Sequence, residues 1–478
     1  MSQERRRVLF LLPALETARN GPSGQIKYSL FPPLSLLTLA GLTPADRWDR
    51  VVRDEHVEDV ELDEPFDLVA MTVYASSANR AYELSARYRA RGAKVVLGGI
   101  HPTAMPDEAS AHADAVCTGP AEPVWAEILC DAEAGKLKRV YRGEPKGSAA
   151  MQPAVAPRHL ANPRAYLVRN TMVSSRGCPH ACDFCYKSGF WGARYWEGRP
   201  LADVERELAS FEGKFVFFLD DNFLAGRSRA REIFAVLRSL GMKWQAGSSI
   251  DVAEDPVFLD EAYEAGCRSL FIGIESVSRE SLRAVHKGVA ARADYAQSIR
   301  RIHDAGIMIN GSFVLGIDTD SPDVFDRTVE FAVAHGVETV TFHIMTPYPG
   351  TRLYERMSAD GRLLTRDWRL YDTGHAVFRP ARMSATALED GYHRAYEEFY
   401  TWGSIFRRSM GLANPLKRIV YNAAWRKSPL FWAPVMGLGL MPWVRPAFEY
   451  GISRDTRDSL SCARDRRSAR LAADNAAT

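Results

Sequence analysis

The chain is short of cysteine, of apolar stretches long enough to cross a membrane, and of any excess of one charge. Only 7 cysteines occur in 478 residues. A secreted disulfide scaffold is shorter and denser in Cys, so that class is excluded. Lys plus Arg number 61 and Asp plus Glu 59, a net charge of +2. A balance that even argues against a nucleic-acid partner held by bulk charge. The hydrophobic fraction is 46% and the charged fraction 25%. That is ordinary globular composition and rules out a disordered chain, a collagen-like chain and a multi-span membrane protein. The first apolar stretch, Val8–Leu12, is only five residues long before Pro13. It is too short for a secretory core and reads as a buried strand. Leu430–Val444 has fifteen residues without a charge but carries Pro434 and Pro442. A spanning helix needs about 20 apolar residues. This stretch reads as an interfacial or core segment. Its flanks, Arg426, Lys427 and Arg445, together with Trp432 and Trp443, leave peripheral membrane contact open.

What the chain does have is two successive runs of strand–helix alternation. At about 150 residues per domain, its length suggests about three domains. Residues 1–140 place strands at 8–12, 67–73, 94–99 and 114–119, with helical runs at 32–42, 78–92 and 122–135. This rhythm predicts α/β architecture with a doubly wound parallel sheet. Its ligand loops would follow Leu12, Arg53, Val73, Leu97 and Cys117. Residues 141–165 are rich in Pro, Gly and Ala and read as a linker. Residues 166–355 place six strands at 169–174, 215–220, 244–249, 269–275, 309–316 and 339–344, which predicts a (βα)6 partial barrel. Residues 356–478 form a helical C-terminal region with a frayed tail. Thr386 and Glu389 read as a capping box. Leu388, Tyr392, Tyr396, Phe399, Trp402 and Phe406 follow at helical spacing and read as one core-packing stripe.

Three cysteines, Cys178, Cys182 and Cys185, fall within eight residues, directly after a predicted strand. That pattern reads as a metal site in a reducing, cytoplasmic setting. Three thiolates this close can hold one face of a 4Fe–4S cluster and leave one iron open. A structural zinc site is the competing reading, but zinc wants a fourth ligand and His180 reaches it poorly.

The C-x3-C-x2-C spacing, with Phe184 before the last Cys, resembles the signature of the radical S-adenosylmethionine (SAM) superfamily. Further segments resemble the family in order: Asp220, Asp221 and Asn222 in LDDN, Glu275 in FIGIES, Ser312 and Gly316 in SFVLGID, and TPYPGT at 346–351. The resemblance covers roughly 165–355. It implies that the cysteines hold the cluster and that SAM chelates the open iron. Asp220 or Asp221 would accept hydrogen bonds from the SAM ammonium. Glu275 would accept them from the ammonium or the ribose. It also implies an external electron donor of flavodoxin or ferredoxin type, and SAM cleavage to a 5′-deoxyadenosyl radical.

The layout resembles the cobalamin-binding subgroup of that superfamily. LFPPLSLLTLAGL, RDEHVED, VVLGGIHPTAMPDEA and GPAEPVW carry the likeness. It implies a Rossmann-like cobalamin domain and methylation of an unactivated carbon in a small molecule or lipid. Gly98, Gly99, Tyr74, Ser76 and Ser77 would line the cobalamin pocket. Three departures stand out. Asp59 occupies a position where glycine is expected, no Ser-x-Leu follows, and Pro120 replaces an acidic residue. His56 is thus open as a lower cobalt ligand or as a solvated loop histidine. Two other functions stay open: a cobalamin-independent cyclisation, desaturation or coupling, and a non-enzymatic iron–sulfur or zinc module. The substrate pocket would sit over the barrel mouth, with Trp191, Tyr195, His343 and Tyr348 as candidate contacts. No residue stands out as a proton donor or acceptor.

Overall fold

The computed structural model describes residues 5–15, 29–144, 155–190, 192, 194–288, 292–410, 415–426 and 429–453. The C-terminal tail, Cys462 and Trp191 lie outside them. The chain divides into two compact units. The first comprises 1–210, 345–379 and 429–445; the second comprises 211–344, 380–428 and 446–478.

The first unit is built on a six-stranded sheet. Its strands are β1 (Arg6–Leu12), β2 (Trp48–Asp54), β3 (Leu68–Thr72), β4 (Lys94–Gly98), β5 (Ala115–Thr118) and β6 (Val140–Arg142). The order is β2-β1-β3-β4-β5-β6, and every neighbouring pair is parallel. Both sheet faces are covered, which explains why β1 and β3 are continuous apolar runs. Val8, Phe10, Leu68 and Ala70 face one core, with helices Leu34–Leu42 and Trp125–Glu133. Leu9, Leu11, Val69 and Met71 face the other, with helix Ala78–Ala90. Strand order reverses between β1 and β3, so the loops after these strands diverge and open a crevice. The sixth strand takes two of its three residues, Tyr141 and Arg142, from the stretch expected to be linker. Val140 to Arg142 pair with Val116 to Thr118.

The unit continues with three short strands, β7 (Thr171–Met172), β8 (Ser175–Gly177) and β9 (Trp196–Gly198). Leu430–Val444 is not one segment. It falls on two helices, Pro429–Gly437 and Met441–Ser453, broken at Leu438–Leu440. Among the described residues no helix is long and apolar enough to cross a membrane.

The second unit holds five parallel strands in register: β10 (Phe215–Phe218), β11 (Lys243–Ser248), β12 (Cys267–Glu275), β13 (Met308–Leu315) and β14 (Thr339–Ile344). Amphipathic helices follow the strands, as the alternation predicts. Two of them, Pro256–Glu264 and Tyr295–Asp304, are capped by Asp255 and Asp294. Helix Ala385–Phe399 is capped by Ser384, whose hydroxyl accepts from Ala387 N at 3.0 Å. The Thr386–Glu389 box therefore does not form.

The aromatic stripe also differs from the reading. Leu388 and Phe399 are buried, but the helix stops at Tyr400, and Trp402 and Phe406 lie exposed on the next helix. Tyr396 and Tyr400 do more than pack. The Tyr396 hydroxyl bonds Phe342 N and O at 3.0 and 3.2 Å, and that of Tyr400 bonds Val340 N and O at 3.2 and 3.0 Å. Two phenols thus satisfy the open edge of β14.

A buried cluster ties this unit together. The Glu338 carboxylate accepts from Ile309 N at 2.9 Å, meets His303 Nε2 at 3.2 Å and pairs with Arg418. Burial, and secondarily the Arg418 charge, pushes the His303 imidazole down to about 3, so it is neutral when folded. Unfolded, it titrates near 6.5. Stability is therefore fully present above pH 6.5. It falls by up to about 1.4 kcal/mol per pH unit as the pH drops towards the folded value. The urea midpoint should fall between pH 7 and pH 5, and His303→Gln should flatten that slope. An identical slope in the variant would place the acid sensitivity elsewhere.

Candidate active site

The cysteine loop leaves β8, which pairs antiparallel with β9. Gly177 ends the strand at φ 82°, and a Cβ there would meet Tyr195 O at 2.1 Å. Only glycine permits that close approach. Cys182 is buried, while Cys178, Phe184 and Cys185 are half-buried. The loop has little regular structure, so side chains hold it. Asp183, 4% exposed, ion-pairs with Arg352 at 3.0 Å and Arg356 at 3.3 Å. Leu353 N donates to Asp183 O at 3.1 Å, and Arg352 also donates to Ala181 O. Both arginines sit on helix Arg352–Ala359, which starts where TPYPGT ends and is capped by Thr351. TPYPGT thus launches the helix that clamps the backbone between the cysteines.

No three His, Cys, Asp or Glu side chains among the described residues converge tightly enough to hold a single metal ion. A structural zinc ion draws its ligands to about 2.3 Å and closes its shell with four. The loop, with His180, does not build that shell. Three thiols on one loop are the donor set that a 4Fe–4S cluster takes.

In the second unit, Asp220 and Asn222 are buried just past β10, with Asp221 half-buried between them. Asn222 Nδ2 donates to Ser249 Oγ at 3.2 Å, which ties this loop to the one after β11. Glu275 ends β12 at φ 66°, a backbone region costly for any residue but glycine. A register shift between Gly273 and Glu275 re-aims the strand end there. The Glu275 carboxylate pairs with Lys287, whose ammonium also donates to Gly273 O at 2.9 Å. A Cβ on Gly273 would meet Glu275 Oε1 at 2.5 Å, so that glycine makes room for the ion pair. Ser312 is buried and sits opposite Gly273 in the β12–β13 register. Lys287 escaped the sequence reading because it lies twelve residues past Glu275, on a different local element.

The first unit opens two cavities at the carboxyl ends of its strands. The larger, about 470 Å³, is lined by Leu15 after β1, Tyr74 to Ser76 after β3, and Ile100 to Ala104 after β4. Tyr186, Phe190 and Tyr348 to Gly350 complete its wall. Apart from Tyr74, the walls beyond β3 and β4 are mostly small: Ala75, Ser76, Thr103 and Ala104. The smaller cavity, about 190 Å³, is lined by Gly98, Gly99, Ala70, Cys117, Gly119 and others. Gly99 has φ 106°, and a Cβ there would lie 2.9 Å from both Val73 N and Val73 O. Glycine is thus a steric requirement at 99, whereas a Cβ on Gly98 would make only ordinary contact, 3.6 Å from Cys117 Cβ.

Not every residue assigned to the pocket faces it. The Ser77 hydroxyl caps its own turn, accepting from Tyr74 N at 3.2 Å. His56 is engaged on both nitrogens. Nε2 accepts from Leu15 N at 3.1 Å, which leaves the proton on Nδ1, 2.8 Å from Asp54 Oδ1. Asp54 also accepts from Tyr166 at 3.1 Å, and neighbouring Glu55 accepts from Ala14 N at 2.9 Å. The Asp-x-His pattern therefore pins the loop after β1. As placed, His56 is neither a solvated histidine nor an available cobalt ligand. Of the candidate substrate contacts, Tyr348 lines the large cavity and donates to Tyr371 O at 3.2 Å, whereas Tyr195 bonds Glu197.

His101 also belongs to this wall, but its imidazole is fully buried behind it. Its Nε2 lies 3.1 Å from both Glu108 Oε1 and Tyr82 OH. Glu108 also accepts from Tyr82 at 2.8 Å and from Trp368 Nε1 at 2.9 Å. Burial holds His101 below the ordinary imidazole range, so it is neutral. With the proton on Nε2, Nδ1 is a bare acceptor, and it has no protein partner. Sequence spacing could not separate His101 from His56; the carboxylate anchor at Glu108, seven residues on, was the signal.

The Asp183 clamp generates a prediction. An Arg352→Ala/Arg356→Ala variant should retain less than half the iron of the parent after anaerobic reconstitution and desalting, with the same far-ultraviolet dichroism. Full iron retention would show that the cysteine loop holds its shape without the clamp.

Comparison with known proteins agrees with this geometry. The radical SAM superfamily profile matches residues 172–356, the B12 binding domain residues 28–129, and a domain of unknown function, DUF4070, residues 351–458. Bacteriochlorophyllide d C-12(1)-methyltransferase of Chlorobaculum tepidum is 30% identical over 419 residues, 86% of this chain and 90% of that one. Hopanoid C-2 methylase of Rhodopseudomonas palustris is 25% identical over 384 residues, 77% and 72%. The structure of the radical SAM methyltransferase TsrM from Kitasatospora setae, with cobalamin and a 4Fe–4S cluster, superposes with TM-score 0.58 at 17% identity. It covers 93% of this chain and 100% of that one. OxsB with aqua-cobalamin and SAM gives 0.62 at 14%, covering 90% and 72%. At these identities the structures establish the fold. The two matched domains bring a 4Fe–4S cluster, SAM and cobalamin as cofactors. Aligned over 86% of its length at 30% identity, the chain belongs to the radical SAM superfamily, in the subgroup that carries a cobalamin-binding domain.

Proposed function

We propose that this protein is a cobalamin-dependent radical SAM C-methyltransferase that methylates an unactivated carbon of a small hydrophobic molecule or lipid. One observation carries the reading. The large cavity at the β1/β3 switch point is walled by Tyr186 and Phe190, which begin one residue after Cys185. The cofactor pocket of the B12-type sheet and the thiol loop are thus parts of one wall. When bound, the cluster and cobalamin supply one-electron cleavage of SAM and a methyl carrier.

The chain's own residues hold and orient these groups. Cys178, Cys182 and Cys185 ligate three irons, on a loop fixed by Asp183. Asp220, Asp221 and Asn222 receive the amino-acid end of SAM. Glu275, held by Lys287, and Ser312 take the ribose side. Gly98 and Gly99 line the small cavity and admit the cobalamin tail there. His101, buried and anchored by Glu108 and Tyr82, backs the wall of the large cavity. Tyr186, Phe190 and Tyr348 exclude water from the transfer site. A flavodoxin- or ferredoxin-type donor supplies the electron. The relatives named for a bacteriochlorophyllide and a hopanoid act on large hydrophobic ring systems, which supports an apolar substrate.

The test is metal stoichiometry on anaerobically reconstituted protein supplied with hydroxocobalamin. Near four irons and one cobalt per chain supports the reading. Four irons without cobalt would leave a cobalamin-independent radical enzyme. Cys182→Ala should lose the iron and keep the cobalt. His101→Leu, which removes a buried anchor of the cavity wall, should keep four irons and weaken cobalamin retention. Loss of a nitrogen splitting from the cob(II)alamin electron paramagnetic resonance spectrum on that substitution would instead make His101 a cobalt ligand.

A further inference from the structure

Helices Trp402–Met410 and Pro415–Trp425 in the second unit carry an unusual outer face. Trp402, Phe406 and Met410 recur every fourth residue, as do Leu416 and Val420. They are 48, 48, 66, 73 and 62% exposed. Residues at that spacing share one side of a helix. This is not spare core. The opposite faces are already used: Ile405, Ser409, Tyr421 and Asn422 are buried, and so are Arg408 and Arg418. A single exposed leucine needs no explanation, but five large apolar side chains on one helix pair do.

Along these helices and the stretch that follows them the charge has one sign, and the carboxylates nearby, Glu330 and Glu398, come from other helices. From Thr401 to Phe448 the sequence contains no Asp or Glu and seven Lys or Arg, in a chain whose totals are 61 and 59. Arg408 and Arg418 are consumed inside the unit, by Asn422 and main-chain oxygens and by Glu338. Arg407 and Arg426 remain exposed. The Arg426 guanidinium lies 5.2 Å from the Trp402 ring centroid, which sets a cation beside an exposed indole. The two helices have 9 and 11 residues, so each is about 15 Å long and cannot span a hydrocarbon core of about 30 Å. Aromatic and aliphatic side chains flanked by cations, on helices too short to insert, match the chemistry of an anionic bilayer surface.

We propose that the outer face of Trp402–Met410 and Pro415–Trp425 docks the protein onto anionic lipid membranes. The same acid-free stretch exposes Phe431, Leu438 and Trp443 in the first unit, at 50, 72 and 82%. None of this rests on the cofactor assignments, so the two readings fail independently.

The test is vesicle flotation of the full-length holoprotein. Phosphatidylcholine vesicles containing phosphatidylglycerol should carry the protein up, and pure phosphatidylcholine vesicles should not. Binding should weaken as salt rises. Phe406→Ser/Met410→Ser, and separately Leu416→Ser/Val420→Ser, should each cut partitioning at least about tenfold, because two large apolar side chains leave the interface. Both pairs are exposed, so urea midpoints should match the parent. Arg407→Glu/Arg426→Glu should remove the preference for phosphatidylglycerol. Absence of flotation with phosphatidylglycerol, or equal flotation of parent and variants, overturns the proposal. So does a lipid-free dimer in light scattering that both serine variants dissociate, since the face would then join two copies of the chain.

Discussion

Three thiols on a loop with almost no regular structure must be held in place before any cluster can bind, and here a buried carboxylate does it. Asp183 lies between the second and third cysteines, and two arginines four residues apart on one helix neutralise it. A buried carboxylate without partners would be expensive, so once Asp183 is inside, the helix must stay against the loop. Tyr186 and Phe190 are then fixed where they wall the large cavity, and Tyr348 reaches that cavity from the segment that launches the helix. The chemistry proposed for the site depends on this mutual support.

The N-terminal sheet supplies the other half of the pocket through its topology. Reversal of strand order between β1 and β3 opens the crevice. The residues after β2 keep it open by pinning the β1 loop through Asp54, Glu55 and His56. The same family likeness that suggested a cobalt ligand in His56 thus marks a positioning role. Behind the large cavity the buried His101 imidazole is held by the Glu108 carboxylate and the Tyr82 phenol, and the Trp368 indole donates to the same carboxylate.

Much of this was legible in the sequence. The strand–helix rhythm located β1, β3, β4 and β5 and the strands of the second unit, because fully buried strands read as apolar runs. Cysteine spacing located the thiol loop, and of the Gly98–Gly99 pair the Val73 contact explains Gly99. What stayed hidden depends on pairing between distant segments. Lys287 reaches Glu275, Arg352 and Arg356 reach Asp183, and the edge strand β14 takes its partners from Tyr396 and Tyr400. The helical stripe from Leu388 to Phe406 reads as continuous because spacing alone does not reveal the break at Tyr400. That break turns Trp402 and Phe406 outward.

The central claim is that the thiol loop and the cobalamin pocket share a wall. The five-residue helix that joins them, Tyr186–Phe190, is about 7.5 Å long. The most direct test is electron paramagnetic resonance of the holoprotein with cobalamin as cob(II)alamin and the cluster reduced. The shared wall predicts that the cob(II)alamin signal is broadened and relaxes faster when the cluster is paramagnetic, and recovers in Cys182→Ala. A cob(II)alamin spectrum unchanged by cluster reduction would contradict it and separate the two centres.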